Sequence, residues 1–194
     1  MSEQKTPPEG MGERDVVELL MAQHRRIKEM FNEVEQASPA DRGEAFTRLV
    51  RILAVHETAE EEIVHPFSRN KIENGDRVVD DRLAEEHRAK LLLQELDQAG
   101  PSAPDFMERL RQLRTAVEAH ADSEEQYEFG ELRAKTTESE RHMLAVGVKA
   151  AEALAPTHPH PGVETATKNV LVGTPFAMMD RARDVIRQTL KRKG

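Results

Sequence analysis

Three long stretches of this 194-residue chain carry apolar residues at alternating steps of three and four, and histidine breaks each of them. The first stripe is Val17, Leu20, His24, Ile27, Phe31, Val34. The second is Phe46, Leu49, Leu53, His56, Glu60, Ile63, Phe67. The last is Phe106, Leu110, Leu113, Val117, His120, Glu124, Tyr127. A sustained 3-4 pattern is the mark of a helix face turned into a bundle. Between the second and the last, Val79, Leu83, His87 and Leu91 run along one edge of a broader apolar face, with Leu92 and Leu96 beside them. No strand-like alternation is present. The expected fold is all-α: an up-down four-helix bundle with additional C-terminal helices.

Leucine or valine would pack such faces better than imidazole and carboxylate, and a buried carboxylate without a partner is costly. Each polar position lies near the middle of its helix. In an up-down bundle with short loops, such positions meet at one level. The spacing His56-x-x-x-Glu60 sets both side chains on one face, one turn apart, and His120-x-x-x-Glu124 repeats it. His24, His56, Glu60, His87, His120 and Glu124 thus form a candidate ligand set for two metal ions, each Glu able to bridge both. Mixed nitrogen and oxygen ligation with open positions suits non-haem iron, with manganese or zinc as weaker fits. The competing reading is a buried polar network without metal.

Breaks in pattern and composition divide the chain into a polar tail over 1–12, a bundle over 13–155, a Pro-rich linker over 156–174 and a helix over 175–194. The formal net charge is −8, which argues against nucleic-acid binding by the whole molecule. The last helix is amphipathic and basic. Between Asp180 and Lys193 stand six cations and two acids, so the body is more acidic than the total suggests. This helix is expected to dock on the chain's own acidic bundle, with an anionic membrane or nucleic acid as the other candidate surfaces. With no cysteine, disulfides and thiolate chemistry are excluded and a reducing, cytoplasmic setting is expected. No apolar run is long enough for a transmembrane segment, and the first residues lack the apolar core of a secretory signal.

The arrangement resembles the hemerythrin-like, or HHE cation-binding, family. The matching segments are His24; His56-Glu57-Thr58-Ala59-Glu60-Glu61-Glu62 leading to His65-Pro66; Glu86-His87; and His120-Ala121-Asp122-Ser123-Glu124-Glu125, across residues 13 to 135. The resemblance implies two iron ions with an oxo or hydroxo bridge. His24 and His56 would bind one, His87 and His120 the other, and Glu60 and Glu124 would bridge. Oxygen carriers of the family have a fifth histidine four residues from the third-helix ligand, where this chain has Leu83 and Leu91. Each metal would then keep an exchangeable position. That favours a protein that binds or reacts with O2, peroxide or nitric oxide, as in peroxide decomposition, over a carrier. The alternatives are a non-enzymatic O2, NO or redox sensor and an iron-buffering protein.

Two further residues are candidates for a supporting role beside the ligands. Tyr127 lies one turn beyond Glu124 on the stripe. His65 lies nine residues past His56, half a turn round a regular helix, and should face away from the site.

Overall fold

The computed structural model describes residues 15–152 together with 179, 180, 183, 184, 187 and 188. The tail over 1–12 and the linker over 156–174 lie outside the described residues. Helix α1 spans Val16–Gln36 and α2 spans Arg42–Ala59. A π-helical turn, Glu60–Val64, carries α2 into α3, His65–Lys71. Helix α4 spans Gly75–Ala99 and α5 spans Phe106–Ser123. A second π turn, Glu124–Glu128, carries α5 into α6, Phe129–Lys135, and α7 spans Glu138–Glu152. No strand occurs among the described residues. The four long rods of the bundle are α1, α2–α3, α4 and α5–α6, with α7 packed against α1 and α2.

Local chemistry sets the helix ends. Asp15 Oδ1 accepts the Val17 N–H at 2.9 Å and caps α1. Asn74 takes the left-handed conformation (φ 53°) ahead of α4. Gly75 follows because a Cβ there would come within 2.5 Å of the Arg69 carbonyl oxygen. Gly100 (φ 77°) ends the helix, as glycine often does. Thr137 and Glu140 form a reciprocal capping box: Glu140 Oε2 accepts the Thr137 N–H at 2.9 Å, and Thr137 Oγ1 accepts the Glu140 N–H at 3.2 Å.

Up to the π turns, the apolar stripes of α1, α2 and α5 meet as expected. Leu20, Ile27, Phe31, Leu49, Leu53, Leu110 and Leu113 are fully buried, and Phe46 meets Phe106 edge to face with ring centres 5.2 Å apart. Helix α4 differs from the expected face. Its buried positions are Val78, Val79, Glu86, Ala89, Leu93 and Leu96, whereas His87 is exposed and Leu91 is 44% exposed. Steps of four drift by about 40° each, so His87 lies about 80° round from Val79, while a seven-residue step brings Glu86 back within about 20°. Among the described residues, no helix is long and apolar enough to cross a membrane.

Candidate metal centre

Eight ionisable side chains converge in the middle of the bundle: His24 from α1, His56 from α2, Glu60 and His65 at the first π turn, Glu86 from α4, His120 from α5, and Glu124 and Glu128 from the second π turn. All are at most 4% exposed. They fall into three overlapping groups whose ligand atoms lie within 4.8 Å of one another: His24, His56, Glu60 and Glu124; Glu60, Glu86 and His120; His65, Glu124 and Glu128.

Glu124 faces two imidazoles, with Oε2 3.3 Å from His24 Nε2 and Oε1 3.5 Å from His120 Nε2. Glu60 Oε2 is 3.3 Å from His56 Nε2. In three of the four histidines Nδ1 is turned outward and donates to an oxygen: His24 to Glu125 at 2.8 Å, His56 to Gln23 at 2.8 Å, and His120 to Glu85 at 3.2 Å. Since these oxygens accept, Nδ1 carries a proton in each and Nε2 is the nitrogen turned into the cluster. Metal-binding imidazoles are oriented in this way. The ring of Phe129 stacks on His24 at 5.7 Å and fixes its plane from the other side.

Buried atoms without hydrogen-bond partners gather on this inner face: His24 Nε2, His120 Nε2, and both carboxylate oxygens of Glu60, Glu124 and Glu128. Buried polar atoms are nearly always satisfied, so such a concentration is what a cation-binding donor set looks like before the cation is counted. The residues present therefore fit a metal centre.

The charges are unevenly held. Burial, then the neighbouring Glu124, pushes the Glu60 carboxyl well above its ordinary range. Burial opposes the charge of Glu124 too, but His120 and His24 outweigh it and keep that carboxyl ionised. Burial and the adjacent His24 hold His56 neutral. Burial also disfavours charge on His120, yet Glu124 and Glu85 raise it to about 9. His65 is raised to about 10: the carboxylates of Glu128 and Glu86 overcome the cost of burial. It lies 2.5 Å from Glu86 through Nε2 and 3.5 Å from Glu128 through Nδ1.

Five of the six residues expected as ligands meet here; His87 is exposed outside the cluster, and Glu86 is the α4 residue that enters it. His65, expected to face away, is buried in the cluster. The reason is the first π turn, closed by the His65 N–H to the Glu60 carbonyl. One extra residue in a wide turn sets back everything after it by about 100°, so His65 lies about 80° from His56 rather than opposite it. Pro66, which has no N–H to give, follows directly. The second π turn is closed in the same way, from the Phe129 N–H to the Glu124 carbonyl. It buries Glu128 and leaves Tyr127 42% exposed, its hydroxyl donating to the Glu73 carbonyl at 3.4 Å. Tyr127 therefore stands outside the cluster. The seven-residue recurrence of Val79, Glu86 and Leu93 could have revealed Glu86. Nothing in residue type alone announces the π turns.

The family model for the hemerythrin HHE cation binding domain matches residues 15–132. The chain belongs to this family of cation-binding helical bundles. Among solved structures, a hemerythrin HHE cation binding domain-containing protein of Mycobacterium kansasii has the same fold, with a TM-score of 0.66 and 19% identity over 90% of this chain and 98% of that one. Among curated proteins, a DNA nickase of Nostoc sp. is 29% identical over 139 residues, 71% of this chain. The chain spans 39% of that relative's length.

Proposed function

We propose that this chain is a dinuclear non-haem metal protein, with iron the favoured occupant, that binds and turns over a small oxidant such as peroxide. The observation that carries this reading is the inward set of unpartnered Nε2 and carboxylate atoms, with three outer Nδ1 atoms each held by an acceptor. His24, His56, Glu60 and Glu124 would hold one ion. His120 and Glu86 would hold the other, with Glu60 and Glu124 shared and His65 and Glu128 beside it. A donor set of imidazole and carboxylate, without thiolate, suits iron or manganese. Bound iron would supply redox electrons and Lewis acidity for O2, peroxide or nitric oxide.

The protein's own contribution is positional. Glu125, Gln23 and Glu85 fix the tautomer and plane of three imidazoles. Ile27, Val117 and Ala121 line a small cavity against His24, His56 and His120, which limits the centre to small ligands and restricts water. His65 stores a proton between Glu86 and Glu128, within reach of the cluster's carboxylates.

The same reading separates Glu86 from its neighbour. Titrating metal-free protein with Fe(II) under argon should load two ions in His87→Ala, as in the parent chain. Glu86→Ala should retain one tightly and bind the second at least about tenfold more weakly, the usual scale for a lost ligand contact or its support. Loss of the second ion from His87→Ala with Glu86→Ala unaffected would contradict the assignment.

A further inference from the structure

The C-terminal arm reaches the bundle where the first π turn comes to the surface. Arg183 contacts Glu61 Oε2 at 3.0 Å and Glu62 Oε1 at 2.9 Å, and Arg187 grips both oxygens of Glu62 at 2.8 and 2.9 Å. Met179 is 4% exposed and closes one side of a small cavity whose other walls include Leu53, Glu57, Lys90, Leu93 and Val117. The other oxygen of Glu61 takes the ammonium of Lys90, which also lies 3.4 Å from Glu86 and 4.0 Å from Glu57.

Two consequences follow. First, Glu61, Glu57 and Glu86 gather round Lys90, which connects the surface to the buried cluster, and the arm's arginines hold Glu61 and Glu62 on the outer side. Second, Glu57 lines both the cavity under Met179 and the cavity against His24, His56 and His120. Val117 also lines both, so only Glu57 and Val117 stand between the arm's seat and the imidazoles.

We infer that the C-terminal arm and an incoming divalent cation compete for these carboxylates, so that docking of the arm gates the loading and release of metal at the cluster. With the arm seated, a cation meets two guanidinium groups and Met179 in addition to the ammonium of Lys90, which belongs to α4 and stays on Glu61. With the arm away, Glu61 and Glu62 become an acidic mouth that concentrates cations. The contacts suit a reversible latch. Partly exposed ion pairs are individually weak and screened by salt, while the Met179 seat makes docking specific.

The inference rests on the metal reading above, and its test separates the two. Full-length protein and the Arg183→Gln/Arg187→Gln variant are stripped of metal and reloaded with Fe(II) under argon. Uptake, release to a chelator and amide hydrogen exchange over residues 179–188 are then followed. The variant should reach the parent's final metal content, exchange faster over the arm, and load and release about tenfold faster, the scale of losing a few exposed ion pairs. Faster exchange with unchanged metal rates would overturn the gate. Unchanged exchange would overturn it too, by showing that the arginines do not hold the arm. A parent chain that takes up no metal would overturn the metal reading itself.

Discussion

Replacing Glu60 with methionine should give a chain that binds metal poorly and yet, stripped of metal, is more stable than the parent. Glu60 is fully buried, its carboxyl is pushed upward by burial and by Glu124, and neither of its oxygens has a hydrogen-bond partner. Such a group is a cost to the metal-free fold. A flexible apolar side chain of similar length should recover about 1–3 kcal/mol, the usual penalty for an unsatisfied buried polar group. In the metal-loaded state the sign reverses, because Glu60 is shared between two of the three ligand groups. Denaturant unfolding of both proteins, with and without metal, checks this. A variant less stable in both states would mean that Glu60 serves a polar network and not a cation.

The stability of the metal-free protein should fall as pH rises from about 6.5 to 10, while the metal-loaded protein stays level. His65 and His120 are raised to about 10 and about 9, above the unfolded value. Their contribution is complete below the unfolded histidine pKa and is lost as pH climbs through the folded values. Glu57 acts in the same direction: burial and Glu86 raise it to about 8, so its ionisation penalises the fold progressively between the ordinary carboxylate range and that value. Glu124 is lowered and stays ionised throughout, so it does not offset the trend in this window. The combined loss is on the order of a few kcal/mol. A cation bound through His120 would displace that residue's proton, and its charge would disfavour the protons on His65 and Glu57, so uptake near neutral pH should release protons and the apparent affinity should rise with pH. Chemical denaturation at pH 6.5, 8 and 9.5 with and without metal tests the point. Parallel pH profiles for the two forms would contradict it.

How far the sequence could be read depended on helical regularity. His24, His56 and His120 lie on unbroken α-helix, where the 3-4 rhythm holds, and Glu60 and Glu124 end those stretches. Those five residues were legible from spacing alone. His87 falls off the buried face because a chain of four-residue steps drifts round the helix, while the buried face of α4 follows the seven-residue recurrence through Glu86. His65 and Glu128 lie beyond π turns, whose extra residue turns the following side chains toward the cluster. Each turn begins at the Glu of a His-x-x-x-Glu pair, so the stripe becomes unreadable just beyond it. The outer partners Gln23, Glu85 and Glu125 look like ordinary polar helix residues. Only packing shows that each holds an imidazole.

On the function proposed above, the buried histidines and glutamates hold two metal ions. Elemental analysis of purified full-length protein, with an ultraviolet-visible spectrum of the same aerobic sample, tests it most directly. Two irons per chain with charge-transfer absorption above the protein band are the result expected. A chain that is folded and metal-free, does not take up Fe(II) on reconstitution and is unchanged by chelators would show instead that the cluster is a polar core network.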